Sequence, residues 1–316
     1  ALQKGIHIMG TGDFTHPIYL EELKRELIED PERQGFFRLK SKKVSAPYPV
    51  FMLTQEISCI YKELNRVRRN HILIAVPDFE TLDRLQVKLS RIGNLAADGR
   101  PILGLSAKEL VRIVLEIDPL NLVIPAHIWT PWFSTFGSHS GFDSISECFQ
   151  EMAPHIVAVE TGLSSDPLMN WCIRELDTYT LVSHGDAHSA LKVGREATVY
   201  ELEEVTYTNV MLALKNSSKL DKERMPKNYV AYTIEFYPEE GKYHFDGHRD
   251  CGICFSPTET HAKAGLCPTC RKPLTIGVMH RVRELATRSE SEAVAYGREY
   301  RPPFKKIVPL IEIIAD

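Results

Sequence analysis

The chain has 316 residues, of which 43% are hydrophobic and 25% are charged, and its net charge is only −4. A chain of this size is able to bury one large core and carry a smaller module, so we expect two unequal domains. No apolar run approaches the length of a membrane span and the first residues lack a signal-peptide pattern, so we expect no membrane role and a cytoplasmic protein.

Cysteine and charge are unevenly distributed along the chain. Cys59, Cys148 and Cys172 lie in apolar or helix-like surroundings without paired spacing, which is typical of buried free thiols in a reducing compartment. Residues 215–306 carry 17 Lys and Arg against 12 Asp and Glu. This basic excess would suit a contact with a phosphate backbone, although an excess of that size is often just a solvated surface.

The two ends of the sequence suggest that neighbouring segments are missing. Residues 1–5 are typical of the last turn of a helix, with Gly5 as its C-cap, that leads directly into a strand. Residues 304–316 begin an apolar helical pattern that stops without a cap. We therefore expect the sequence to be clipped at both ends.

Short apolar runs alternate with segments of helical period between residues 5 and 190, which predicts an α/β fold closed by a barrel-like parallel sheet. The predicted strands are 5–9, 50–54, 71–76, 122–125, 156–160 and 180–183. The predicted helices are 18–29, 82–93, 107–117, 144–152 and 166–174.

Residue types that bind metals follow several of the predicted strands. Substrate sites of parallel β/α folds form at the carboxyl ends of strands. Each residue alone has an ordinary explanation, such as a helix cap, a surface carboxylate or a hydrogen-bonded core histidine. Together they favour a site that holds two or three divalent ions, which would suit hydrolysis at phosphorus. The residues are Asp13, Glu56, His71, His127, Glu160, Asp186 and His188.

A polar segment at 216–228 is a plausible linker, and 229–245 is typical of a hairpin that leads into paired cysteines. Cys251-x-x-Cys254 is followed, after twelve residues, by Cys267-x-x-Cys270. Four thiolates at this spacing predict a tetrahedral zinc site. A closed shell of four sulfurs leaves no position for substrate, so this zinc is expected to be structural.

The ordered motifs resemble the polymerase-and-histidinol-phosphatase (PHP) superfamily over about residues 5–200, and most closely its endonuclease Q family, which also carries a four-cysteine ribbon behind the barrel. The motifs that carry the resemblance are Gly-Thr-Gly-Asp13, Glu56, His71, Val-Pro-Asp78, Asp98-Gly-Arg-Pro101, Pro-Ala-His127-x-x-Thr-Pro-Trp132, Glu160-Thr-Gly-Leu-Ser-Ser-Asp166, Asp186-Ala-His188-Ser and Gly194-Arg-Glu-Ala197.

This resemblance implies a distorted (β/α)7 barrel over 1–215, a four-cysteine zinc ribbon over 229–275 and the start of a helical region over 276–316. It also implies a DNA repair endonuclease that cleaves 5′ to deaminated bases (uracil, hypoxanthine or xanthine) or abasic sites with a di- or trinuclear centre of Zn²⁺, Mn²⁺ or Fe²⁺. The implied metal ligands are Asp13, Glu56, His71, His127, Asp186 and His188, and among these Asp186, Glu56 and His188 would be catalytic.

Residues that would contact DNA also follow from the resemblance. A flipped base would stack on aromatic rings beside the metals, with Trp129, Trp132 and Phe133 as candidates, although each ring is equally suited to packing at the barrel mouth. Glu160 either touches the metals or shapes the base pocket. His184, Asp166 and Arg195 would support the ligands, and Arg195 suits a phosphate clamp.

The sequence departs from the family pattern at its start. A PHP barrel opens with a His-x-His strand that supplies two ligands, and here that strand would lie before residue 1, while the family's C-terminal helices would follow residue 316. Two alternatives therefore stay open. One is a phosphoesterase acting on small molecules, and the other is a nucleic-acid-binding fragment with an impaired metal centre.

Overall fold

A long β-hairpin forms the centre of the fold. β4 (Val50–Glu63) and β5 (Arg66–Val76) pair antiparallel, with Leu53 opposite Val76 and Glu63 opposite Arg66. The structure is a computed structural model that describes residues 1–42, 48–63, 65–97 and 99–308. Asp98, which belongs to one of the shared motifs, and 309–316 of the predicted C-terminal helical region lie outside the described residues.

Short strands and helices surround the hairpin. The other strands are β1 (Ile8–Gly10), β2 (Leu27–Glu29), β3 (Phe37–Leu39), β6 (Ile102–Leu103), β7 (Leu122–Pro125), β8 (Ala158–Glu160), β9 (Thr180–Val182), β10 (Ala197–Glu201), β11 (Tyr229–Glu235), β12 (Asp246–His248), β13 (Ile253–Phe255) and β14 (Phe304–Lys306). The α-helices are α1 (Pro17–Glu26), α2 (Phe79–Ser90), α3 (Ala107–Ile117), α4 (Ile145–Phe149), α5 (Pro167–Trp171), α6 (Tyr207–Asn216), α7 (Pro257–Ala262), α8 (Val278–Leu285) and α9 (Glu290–Tyr300).

The main sheet is mixed rather than parallel. β4 pairs antiparallel with β3 and β5 and parallel with β1 and β6, and β5 pairs antiparallel with β7. β8 and β9 form a separate parallel pair. The α/β class is therefore confirmed, but no closed barrel is found among the residues that the structure describes. The predicted parallel arrangement is wrong for these two strands, because β4 and β5 follow each other in the chain without the crossover that parallel strands need and pair antiparallel.

Amphipathic helices cover the hairpin and complete the core. Asp78 caps α2 because its side chain accepts a hydrogen bond from the Thr81 backbone N–H. The Ser106 side chain caps α3 in the same way by accepting from the Glu109 backbone N–H. Both helices bury their apolar faces in a cluster that also contains Ile57 of the hairpin. The predicted helix at 107–117 is confirmed residue for residue.

The C-terminal third of the described chain is tied to the first part by a second sheet. β11 pairs antiparallel with β10 and parallel with β14. The predicted linker 216–228 connects α6 to β11, and the domain boundaries drawn from the sequence stay a prediction. None of the described helices is long and apolar enough to cross a lipid bilayer.

Candidate functional site

Two side chains of the β4–β5 hairpin meet a third from the segment after β7. His71 Nδ1 lies 3.1 Å from Glu56 Oε1 and 3.1 Å from His127 Nε2, and His127 Nε2 lies 3.4 Å from Glu56 Oε1. We call these residues the Glu56/His71/His127 triad. All three belong to the ligand set that the resemblance implied, so the structure brings half of that set together.

The register of the hairpin explains why Glu56 and His71 meet. Glu56 is opposite Leu73 and His71 is opposite Ser58, so the two side chains are diagonal neighbours on one face of the antiparallel pair. Diagonal neighbours lie within reach of long side chains. Both residues lie inside their strands rather than at strand ends, which differs from the sequence prediction.

His127 reaches the triad from the residues after β7. Its backbone N–H donates to Glu160 Oε2 at 2.8 Å, and its φ of 30° is unusual for a residue other than glycine. Gly162, at φ 62°, passes so close that an added Cβ would lie 2.5 Å from the His127 Cβ. Glu160 also accepts from His184 Nδ1 at 3.0 Å, so this buried carboxylate positions two histidines.

Charge at the triad is balanced by Arg100, a residue whose role the sequence did not reveal. Arg100 Nε lies 2.6 Å from Glu56 Oε2, and its Nη2 lies 3.3 Å from Asp186 Oδ1. Burial opposes the ionised form of Glu56, but hydrogen bonds from His127 and His71 and the charge of Arg100 outweigh it and lower the pKa of Glu56.

The two histidines of the triad are perturbed in opposite directions. Burial dominates at His71 and lowers its pKa, which favours the neutral imidazole that binds metals. At His127, burial is outweighed by the hydrogen bond and charge of Glu56, and the pKa is raised.

The other three predicted ligands lie around the triad rather than in it. Asp186 is joined to Glu56 through Arg100. His188 Nε2 lies 3.5 Å from Asp186 Oδ2, and its side chain is 81% exposed. Asp13 Oδ1 accepts from the buried Gln55 side chain at 3.4 Å. Their role as ligands stays a prediction.

The triad fits a divalent ion. At metal–ligand distances of about 2.0–2.1 Å, donor atoms 3.1–3.4 Å apart subtend roughly 95–116° at a common centre, which is close to tetrahedral. Two imidazole nitrogens and one carboxylate oxygen leave further positions open, as in catalytic rather than structural sites. Backbone conformations with positive φ at Asp13, His127 and Asp186 also concentrate here, as is common at functional sites.

The structure corrects the prediction that Trp129 stacks on a base. Trp129 is fully buried, stacks on Phe136 and donates its Nε1–H to Asn170 Oδ1 at 2.8 Å, so it offers no free face. Trp132 is half-buried and stacks on His139, with 4.6 Å between ring centroids. The Phe133 ring lies 4.7 Å from the His71 ring and is therefore next to the triad.

Asp166 and Arg195 occupy other surroundings. Asp166 caps α5 through the Met169 backbone and pairs with Lys306 Nζ at 2.7 Å. The Arg195 guanidinium lies 4.7 Å from the centre of the Phe236 ring. These contacts account for Asp166 as a structural residue, and a role of either residue in binding DNA stays a prediction.

A second group of metal-binding side chains forms around the β12–β13 hairpin. The ligand atoms of His248, Cys251, Cys267 and Cys270 all lie within 4.8 Å of one another, and His248 Nδ1 is 3.7 Å from Cys270 Sγ. Cys254 lies outside this group, whose fourth member is His248, and the predicted set of four cysteines stays a prediction. His248-x-x-Cys251 has the same spacing as the cysteine pairs, and that spacing was the signal that could have found it.

Three sulfurs and one imidazole suit a structural zinc ion, which accepts ligand sets of this composition. Burial disfavours the thiolate of Cys267, but the backbone N–H groups of Cys270 and Thr269 donate to it and lower its pKa to about 7. Because the thiolate is the form that binds metal, this arrangement favours an ion there.

Comparison with known proteins finds relatives in sequence and in structure, although no family model matches the chain. The uncharacterised protein YqxK of Bacillus subtilis is 30% identical over 314 residues, which is 97% of this chain and 72% of that protein. The crystal structure of the lesion-specific endonuclease PfuEndoQ from Pyrococcus furiosus matches with a TM-score of 0.77 and 26% identity, over 98% of this chain and 69% of that one.

The chain belongs to the endonuclease Q-like group of the PHP superfamily. A second structure of that group, endonuclease Q in complex with a 27-mer duplex substrate with an abasic lesion at the active site, matches with a TM-score of 0.78 and 26% identity. That match covers 99% of this chain and 70% of the other. The likeness therefore extends over both groups of metal-binding side chains.

Proposed function

We propose that the chain is a metal-dependent DNA repair endonuclease that hydrolyses the phosphodiester 5′ to a deaminated base or an abasic site. The observation that carries the proposal is the convergence of Glu56, His71 and His127 at 3.1–3.4 Å in a chain whose structural neighbours include a lesion-specific endonuclease. The neighbour with an abasic lesion at its active site supports duplex DNA as the substrate.

Ions at the triad and beside Asp186 would lower the pKa of water and stabilise charge at phosphorus. The residues of the chain prepare that site. Glu56 stays ionised because of its two histidine partners and Arg100. The Glu160 carboxylate holds His127 in position by accepting a hydrogen bond from the His127 backbone N–H. His188, exposed and 3.5 Å from Asp186, would join Asp186 in holding an ion there.

A panel of substrates tests the proposal. Labelled duplexes with an abasic site, uracil, hypoxanthine or xanthine are incubated with the chain and Mn²⁺ or Zn²⁺, beside an intact duplex and a soluble phosphomonoester. We expect a nick 5′ to the lesion that a chelator prevents. Hydrolysis of the phosphomonoester without nicking would instead favour the small-molecule phosphoesterase.

The variant Asp186→Ala isolates the metal chemistry. We expect it to abolish nicking while the unfolding temperature stays close to that of the unchanged chain, because Asp186 is exposed. Asp221→Ala, which removes an exposed carboxylate outside the site, is the control. Retained nicking by Asp186→Ala would refute the role of this residue.

A further inference from the structure

An arginine-rich cleft lies along the first residues of β5. It has a volume of about 580 Å³ and is bounded by β5, the segment 137–143 and α8. Its lining includes four arginines and two rings, and no residue of the Glu56/His71/His127 triad. The residues that matter are Arg66, Arg68, Arg69, Trp132, His139 and Arg281. We call it the Arg66/Arg69 cleft.

Two of the arginines build the wall of the cleft. Arg68 is 5% exposed, donates to the Gly141 carbonyl and lies 3.3 Å from Glu147 Oε1. Arg281 pairs with Asp143 and donates from Nε to the Phe136 carbonyl at 3.1 Å. Their charges are therefore matched by carboxylates and carbonyls that belong to the fold.

The other two arginines carry unmatched charge. Arg66 is exposed, and Arg69 is half-buried with its guanidinium 5.6 Å from the centre of the Phe133 ring. Neither forms an ion pair with any residue in the part of the chain that the structure describes. The cleft therefore presents two positive charges to whatever enters it.

The cleft lies close to the triad along β5. Arg69 and His71 are two residues apart on β5, so they lie on the same face of the strand at a spacing of about 7 Å. The Phe133 ring contacts both of them.

From this geometry we propose that the Arg66/Arg69 cleft binds the sugar–phosphate backbone of the DNA strand that is cleaved, close to the scissile bond. The proposal rests on the nuclease function proposed above and adds where the strand runs. A phosphate fits better than a flipped base, because Trp132 already stacks on His139 and meets Tyr243 at its edge, 5.9 Å between centroids.

The salt dependence of DNA binding tests the cleft. The double variant Arg66→Gln/Arg69→Gln removes two charges and keeps polar side chains. The control Arg84→Gln/Arg91→Gln removes two exposed arginines of α2 and its C-cap. Binding of a labelled duplex with an abasic-site analogue is followed by fluorescence anisotropy at several salt concentrations without added metal ions. Nicking is measured in parallel.

We expect the cleft variant to bind about tenfold to hundredfold more weakly at about 0.1 M salt, with a slope of log K against log salt that is smaller by about 2. The control should keep the original slope. An unchanged slope in the cleft variant overturns the proposal, as does a Trp132→Leu variant that alone removes the preference for the lesion. A chain that binds with the expected slope but never nicks contradicts the nuclease function alone.

Discussion

The two groups of metal-binding side chains are built in opposite ways. The Glu56/His71/His127 triad draws one carboxylate and two imidazoles from residues that span 56–127 of the chain. The group around β12 and β13 draws one imidazole and three thiols from residues 248–270. The first combines the long β4–β5 hairpin with His127, which follows β7, and the second uses one short hairpin and the turns beside it.

This difference suits the triad to a reactive ion and the cysteine group to an ion that stabilises the fold. A triad of nitrogen and oxygen donors leaves positions for water and substrate, whereas a set of three thiolates and one imidazole closes the shell. A local group contributes its binding energy to the folding of a small module. A dispersed group depends on a core that is already formed, and it is therefore free to hold a reactive ion.

The largest effect is expected where the second group loses a thiolate. Cys267→Ser should release the metal of the module and unfold residues around β12 and β13, because binding of structural zinc contributes on the order of 10–16 kcal/mol in small zinc modules. Metal content and proteolysis of the 246–276 region measure this.

Cys254→Ser is the matched control, because this exposed thiol lies outside the group, and it should keep both the ion and the protease resistance. His248→Ala should behave like Cys267→Ser. If Cys254→Ser released the metal and His248→Ala kept it, the assignment of three cysteines and one histidine would be wrong.

The second effect concerns the triad. Glu56→Gln should reduce nicking by more than about a hundredfold, since even changes of residues that only support metal ligands cost 10–100-fold. The metal of the cysteine group should stay bound, so elemental analysis would show a partial loss only. Glu29→Gln, on the exposed side of β2, should nick normally. A complete loss of metal from Glu56→Gln would show that the two groups are coupled.

The third effect is a pH dependence of stability behind the triad. Burial raises the pKa of Glu235 to about 7, although hydroxyls of Thr233, Thr161 and Ser183 oppose the shift. The folded chain thus holds the Glu235 proton more tightly than the unfolded chain, so the free energy of unfolding falls as pH rises from about 4.5 through 7. Above that range the free energy of unfolding is lower by roughly 3 kcal/mol.

Glu235→Gln should remove this term, so its stability relative to the unchanged chain should rise between pH 5 and 8 in denaturant unfolding. The exposed Glu201→Gln of β10 serves as the control. Parallel pH profiles for all three chains would contradict the assignment of the proton to Glu235.

The smallest effect tests how His127 is positioned. Gly162→Ala adds a Cβ that would lie 2.5 Å from the His127 Cβ, so nicking should fall about tenfold to hundredfold as His127 is displaced. Gly5→Ala has a similar positive φ but open space around its Cβ. It should cost only the roughly 1–3 kcal/mol of backbone strain and leave nicking unchanged. Equal losses in both variants would point to stability alone.

The sequence predicted the bounds of α3 and β7 better than those of the hairpin strands, because polar site residues interrupt the hairpin's apolar pattern. α3 and β7 match their predicted bounds, because a capped amphipathic helix and a short apolar run leave clear local signals. β4 was predicted to end at residue 54, yet it continues to Glu63. Gln55, Glu56 and Ser58 face the site or its neighbours, and their polarity interrupts the apolar pattern that marks a strand.

Residues that act through long-range contacts were also missed. Arg100 lies in a shared motif, but only the fold shows that it joins Glu56 and Asp186. His248 was overlooked because only cysteine pairs were counted, although its spacing to Cys251 repeats theirs. Candidate metal ligands can thus be recognised in the sequence, whereas which of them meet in space depends on strand register.

Arg100 gives the site a resident counter-ion. Because its guanidinium lies between Glu56 and Asp186, it weakens the repulsion between the two carboxylates in the folded chain. A divalent cation that bound there would displace a positive charge instead of meeting bare anions. Its affinity would then be set by the difference between two ion-pairing energies. Replacing Arg100 by a neutral side chain would strengthen cation binding and lower the stability of the metal-free chain.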